Sequence, residues 1–152
     1  MRVECRWSDG NDEDFRGFYL KTEAYYNSLV NGQKNREAFI PYNLSEAIPV
    51  VLIATAEGRA VGCAGIKAYS ENDAEIKRVW VEPDCRGNGI AGEMMDRIEE
   101  KAKSLGFRRT ILQTRPVMED AVRLYLKRGY RQIENYPPYD RLDRAVCFAR
   151  DL

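Results

Sequence analysis

The stretch from Ala74 to Leu105, AEIKRVWVEPDCRGNGIAGEMMDRIEEKAKSL, most restricts what this chain can become. It predicts a strand, a glycine-rich turn and a helix in direct succession. Val79, Trp80 and Val81 close a β-type run, and Glu82, Pro83 and Asp84 end it, because proline has no N–H to give to a ladder. Gly87 and Gly89 flank Asn88 with no bulky Cβ to obstruct a close anion. The helix that follows opens with unpaired N–H groups and the positive end of its dipole, both of which favour an anion such as phosphate. Arg86 adds a fixed charge and a fork of donors suited to phosphate oxygens. Ile90, Met94, Ile98 and Leu105, with Met95 and Ala102 beside them, make an apolar stripe at helical spacing that reads as core, and Gly106 supplies the stop. Taken alone, the glycines would serve an ordinary tight turn equally well.

Residues Arg86 to Ala91, RGNGIA, resemble the R/Q-x-x-G-x-G/A signature of the GNAT superfamily, the acetyl-CoA-dependent N-acyltransferases. Residues Ala121 to Tyr130, AVRLYLKRGY, resemble that superfamily's A-x-x-L-Y-x-x-x-G-F/Y segment. The likeness runs from about Val50 to Tyr130 and more loosely to both ends. It implies a single domain over residues 1–152 of the α/β (α+β) class: a mixed twisted sheet of about seven strands, flanked by four helices, with two central strands splayed apart. It also implies that backbone groups of Val79, Trp80 and Val81 meet the thioester arm of acetyl-CoA, and that Arg86, Gly87, Asn88, Gly89, Ile90 and Ala91 hold its pyrophosphate. Glu75 matches the base glutamate of the superfamily's histone acetyltransferases, and Tyr125 the tyrosine that assists the departing thiolate. Glu75 has a second reading, as a partner of Lys77 on the same strand face or of Arg78 nearby. Tyr125 has one as a half-buried helix residue. Many members carry Asn or Gln where this chain has Met118, so the cofactor contact made there is not expected.

With 24 basic and 24 acidic residues among 152, the chain has no global field to attract nucleic acid or an anionic membrane. No apolar run approaches the roughly 20 residues a span needs, and the start, MRVECRWSDG, has no long apolar core, so the expectation is cytoplasmic. Histidine is absent, which removes Ser-His-Asp and Cys-His constellations and histidine metal sites together. Cys5, Cys63, Cys85 and Cys147 form no C-x-x-C pair, and no metal is expected. Cys85, beside Arg86 at a helix start, is either a thiol of lowered pKa or an incidental loop residue.

Along the chain, Arg2 to Trp7 alternates Val3, Cys5 and Trp7 with charged residues, predicting a half-buried strand at one end of the sheet. Phe15, Phe18, Tyr19, Thr22, Tyr26 and Leu29 predict an amphipathic helix ending near Asn31 and Gly32. By resemblance this helix and the segment Gln33 to Tyr42 border the acceptor side, where Tyr25, Tyr26 and Tyr42 are either acceptor contacts or packing residues. Val50 to Thr55 and Ala60 to Tyr69 read as a hairpin across Glu57, Gly58 and Arg59. Strand Arg108 to Thr114, helix Val117 to Arg128, strand Tyr130 to Ile133, a stiff turn Tyr136 to Asp140 and strand Arg144 to Arg150 complete the order. The turn falls beside the acceptor cleft by resemblance, giving it an aromatic wall. Arg123 and Arg128 are candidates for the 3′-phosphate of the coenzyme. The function implied is acetyl transfer to a primary amine of a small molecule or peptide, with homodimerisation through the final strands. Two other readings stand beside it: a non-catalytic acyl-CoA-binding regulatory module, and an interaction domain whose glycine loop is only a turn.

Overall fold

The structure is a computed structural model and describes residues 2–29 and 47–152. Its seven strands are β1 (Glu4–Ser8), β2 (Val50–Ala56), β3 (Arg59–Ala68), β4 (Asp73–Val81), β5 (Arg109–Thr114), β6 (Arg131–Ile133) and β7 (Val146–Asp151). They form one mixed sheet in the order β1-β2-β3-β4-β5-β7-β6. Only β4 and β5 run parallel; the remaining neighbours are antiparallel. Among the described residues there are three α-helices, α1 (Glu13–Leu29), α2 (Ile90–Ser104) and α3 (Glu119–Lys127), where four were expected. The fourth was expected after α1, where the segment Gln33 to Tyr42 lies outside the described residues. No helix among those described is long and apolar enough to cross a membrane.

Period-two alternation sorts the sheet residues between two cores. Leu52, Ala54, Ala64 and Ile76 face α2, where Met94, Met95, Ile98 and Ala102 are fully buried. Val51, Ile53 and Cys63 face the other way, against Phe15 and Phe18 of α1. Each of these larger side chains contributes roughly 1.5–3 kcal/mol on leaving water, so the two helices are clamped to opposite faces by burial. The stripe of α2 is shorter than its spacing predicts, since the helix ends at Ser104 and Leu105, its cap before Gly106, is exposed. Trp7 is likewise more exposed than its alternation predicts, because β1 is an edge strand; Lys101 covers its ring at 5.1 Å.

Asp12 fixes where α1 starts. Its Oδ1 accepts from the N–H groups of Asp14 (2.9 Å) and Phe15 (3.2 Å), while Arg6 donates to its Oδ2 at 2.6 Å. The helix cap is thereby tied to β1. The Arg6 hydrogen bond, the largest of several effects, holds the Asp12 carboxyl well below the usual carboxylate range. A depressed carboxylate stabilises the fold above its unfolded pKa, near 4, and that contribution is lost as pH falls. Asp12→Ala is therefore expected to lower the unfolding free energy by about 1 kcal/mol or more at pH 7. In urea titrations the gap to the parent protein should narrow as pH falls below about 4.

Candidate active site

The ladder between β4 and β5 has three rungs, Asp73 with Arg109, Ala74 with Thr110 and Glu75 with Ile111, and then stops. Beyond them the strands part, as the resemblance implied. Between Cys63 and Gly65 of β3 the register with β4 shifts, and Arg78 stands at φ 57°, an unusual angle for a residue with a Cβ. This bulge reverses the alternation of β4: Ile76 faces α2, yet Trp80 faces α1 and Val81 faces α2. At Gly62 a Cβ would lie 2.9 Å from the Trp80 carbonyl oxygen, so only glycine lets β3 run this close to the bent strand. A cavity of about 990 Å³ occupies the fork. Val79, Trp80 and Val81 line one wall, Leu112 to Arg115 the other, and Tyr125 of α3 closes one side.

At the end of β4 a short 3₁₀ turn, Pro83–Cys85, leads into the glycine loop. Gly87 and Gly89 have φ of 83° and 74°, angles that explain glycine at both positions. The N–H of Arg86 reaches the Pro83 carbonyl at 3.4 Å and that of Glu93 reaches Gly89 at 3.1 Å. Among the described residues no protein acceptor takes the N–H groups of Gly87, Asn88, Gly89, Ile90, Ala91 or Gly92. These are six successive donors at a helix start, five of them on residues that line the cavity, a concavity suited to an anion. Asn88 contributes by shaping it: its side-chain amide donates to the Cys85 carbonyl at 2.9 Å, and it does not line the cavity. Arg86 braces the loop as well as charging it, with Nε donating to the Val81 carbonyl at 2.9 Å and its guanidinium 4.8 Å from the Trp80 ring centre. Cys85 is not activated, because burial and the neighbouring Asp84 carboxylate push its thiol up.

Glu75 lines the cavity at the root of the fork. Its Oε1 accepts from Lys77 Nζ at 3.1 Å and its Oε2 from the Tyr136 hydroxyl at 2.7 Å. Lys77 is the partner that its spacing had allowed. Tyr125 is buried, with its ring 5.7 Å from that of Tyr130, and its hydroxyl makes no hydrogen bond among the described residues. Burial, and secondarily Tyr26, push its pKa up, so it remains a donor across the working pH range. The Trp80 indole N–H is also buried without a partner there.

The other expected contacts divide. Tyr25 and Tyr26 line the cavity, and Tyr25 also packs edge-on against Trp80 with centroids 5.5 Å apart, so it serves both readings. Tyr42 and the segment Gln33 to Tyr42 lie outside the described residues. Of the turn from Tyr136 to Asp140, only Tyr139 lines the cavity; Asp140 is exposed and does not. Arg123 is paired with Asp120. Arg128 is paired with Asp96 at 2.7 Å and Glu99 at 2.5 Å, which places these two guanidiniums in ion pairs within the fold. Arg115, buried at the end of β5, also lines the cavity and was missed, since a charged residue after a strand carries no signal that it will be covered. No cluster of three or more His, Cys, Asp or Glu residues suited to a metal exists among the described residues.

The parted strands, unpartnered amides and partly apolar walls make a cleft suited to an extended anionic ligand. A 38% identical relative over 133 residues is the aminoalkylphosphonate N-acetyltransferase of Salmonella typhimurium, aligned over 84% of this chain and 86% of the relative. An IAA acetyltransferase of Azospirillum brasilense is 33% identical over 89 residues, 58% of each chain. This chain spans roughly half to three-fifths of several curated relatives it matches. In fold, it superposes with a TM-score of 0.76 at 15% identity on the PaiA N-acetyltransferase of Thermoplasma acidophilum in complex with coenzyme A, covering all of both chains. A GNAT family acetyltransferase of Elizabethkingia anophelis with acetyl-CoA bound gives 0.71 at 13% identity over 99% of this chain and 98% of its own. The family profile described as acetyltransferase (GNAT) matches residues 11–130, and the chain belongs to that family.

Proposed function

We propose that this chain is a single N-acetyltransferase domain that moves an acetyl group from acetyl-CoA to a primary amine. The observation that carries the reading is the run of six unpartnered N–H groups from Gly87 to Gly92 at the foot of a strand fork. A diphosphate takes those donors, and the pantetheine arm lies along the edge of β4 that β5 has left, beside Val79, Trp80 and Val81. The acetyl carbonyl then sits within the fork, where Glu75 and Tyr125 both line the cavity. The four cysteines are free thiols, which supports a reducing, cytoplasmic setting.

The chemistry follows from charge. A protonated amine has no lone pair, so Glu75, or a water held on it, takes one proton from the acceptor ammonium. The amine nitrogen attacks the carbonyl carbon, the N–C bond forms, and the C–S bond breaks with its electrons on sulfur. Tyr125 hydrogen-bonds the departing thiolate. Two protons leave nitrogen in all, one to make the free thiol of CoA and one to solvent. Holding both reactants in the fork supplies much of the rate.

Valine at position 89 would be held in a left-handed conformation costing about 1–2 kcal/mol. Gly89→Val is expected to weaken acetyl-CoA binding by tenfold or more in calorimetric titration; unchanged affinity would remove the loop from the site. Across a panel of amino acids, polyamines, aminoalkylphosphonates and lysyl peptides, Glu75→Gln should cut thiol release about a hundredfold or more. The loss should come with disappearance of the acid limb of the rate–pH profile. Tyr125→Phe should lower kcat about tenfold and leave acetyl-CoA affinity within about twofold. Binding of acetyl-CoA without thiol release above hydrolysis for any acceptor would make the chain an acyl-CoA-binding module instead.

A further inference from the structure

Lys77 is a charged side chain in a place where charges are rare. Its side chain is 3% exposed and that of Glu75 9%. The ammonium donates to Glu75 Oε1 at 3.1 Å and to the Tyr139 hydroxyl at 2.9 Å. Tyr139 is itself buried, on the 3₁₀ turn between β6 and β7, and Tyr136 from the same connection donates to Glu75 Oε2 at 2.7 Å. Tyr136 and Tyr139 pack edge to face at 5.5 Å, and Tyr69 closes the cluster against Tyr136 at 4.8 Å. One carboxylate is thus gripped at both oxygens from two separate parts of the chain.

A buried carboxylate without a counter-charge takes up a proton, and a proton acceptor must be empty to act. The cation seen in contact with this carboxylate among the described residues is Lys77. Lys67, the register partner of Glu75 on β3, is only partly buried and makes no ion pair with it among the described residues. Arg78 is paired with Glu23 of α1 at 2.7 Å. Arg109 of β5 is paired with Asp73 through Nε at 3.0 Å and Nη2 at 2.9 Å. Of the other groups around Glu75, Tyr136 donates to the carboxylate and favours its charged form, Tyr69 and the Cys147 thiol of β7 are held neutral with raised pKa, and the acidic groups Asp73 and Asp140 act on Tyr69. Burial pushes the Lys77 ammonium down, and the Glu75 carboxylate offsets part of that.

We propose that Lys77, anchored by Tyr139, is a positioning residue that keeps the Glu75 carboxylate ionised and fixed at the root of the β4–β5 fork. The unit that receives the proton is then the pair, with Glu75 touching the acceptor and Lys77 acting through it. This rests on the reading of Glu75 as the proton acceptor.

The test uses the full chain and two readouts. In the first, protein carrying carboxyl-labelled glutamate is titrated by carbon-13 NMR, with the Glu75 signal assigned by its loss in Glu75→Gln. The Lys77→Met variant should move that titration up by about one pH unit or more, whereas Lys77→Arg, which keeps the charge, should leave it near the parent position. In the second, thiol release from acetyl-CoA is followed with the fastest acceptor of the panel. The acid limb of kcat/KM should move up by the same amount in Lys77→Met and the rate should recover at high pH to within about threefold of the parent. A carboxyl titration unmoved in Lys77→Met overturns the proposal, as does a rate lowered equally at every pH. Near-UV circular dichroism checks folding. Lys77→Gln, which keeps a donor for Tyr139 without charge, serves if the methionine variant does not fold. Glu75→Gln with a parental rate profile would sink the proton-acceptor reading, while the NMR titration would still decide whether Lys77 holds Glu75 ionised.

Discussion

The parallel ladder between β4 and β5 ends after three rungs, and the site depends on where it ends. A backbone edge inside a protein cannot be left unpaired without cost, because each buried N–H or C=O lacking a partner forfeits about 1–3 kcal/mol. In this fold the edge opens on a cavity instead of on packed side chains. An extended ligand with amide groups of its own can complete the ladder there, much as a peptide adds to a sheet edge. The fork is therefore both a gap in the sheet and a template, with the glycine loop at its foot.

Two devices hold the fork open. The bulge at Arg78 bends β4 and changes which face each later residue serves, so that Trp80 joins α1 while Val81 joins α2. The second is the attachment of α1 to the bent strand. Arg78 pairs with Glu23, its guanidinium lies 4.3 Å from the Tyr19 ring centre, and Lys21 reaches Glu82 at 2.6 Å. A buried ion pair is weak evidence of stability, since desolvation opposes the Coulomb gain. Its value here is geometric: it specifies one position for a helix that carries Tyr25 and Tyr26 to the cavity wall.

Much of this was legible in the residues, and the exceptions have definite causes. The strand–glycine turn–helix unit announced itself because proline, glycine and a 3.6-residue stripe are strong local signals, and α2 begins at Ile90 as that pattern requires. The mixed sheet of about seven strands followed from the resemblance, which carries topology that periodicity cannot. The bulge was not legible. It rests on a non-glycine residue at positive φ, and an arginine gives no hint that it will adopt one; simple alternation would have put Trp80 on the wrong face. Equally invisible was the convergence of Tyr136 and Tyr139 on the Glu75–Lys77 pair, from 61 and 62 positions away in sequence, because pairing at that range is set by the sheet and not by neighbours. The exposure of Leu105 shows the same limit on a smaller scale, since a stripe says nothing about where its partner surface stops.

Glu99 of α2 is buried, and it accepts from Arg128 just beyond α3 at 2.5 Å, from Arg150 of β7 at 2.7 Å and from the Tyr130 hydroxyl at 2.7 Å, while Arg128 also donates to the Gly92 carbonyl at 3.3 Å. The helix that presents the unpartnered amides and the helix that presents Tyr125 are in this way bolted to one post. Neither can tilt or fray without dragging the other, so warming or denaturant loosens both sides of the cavity in a single event.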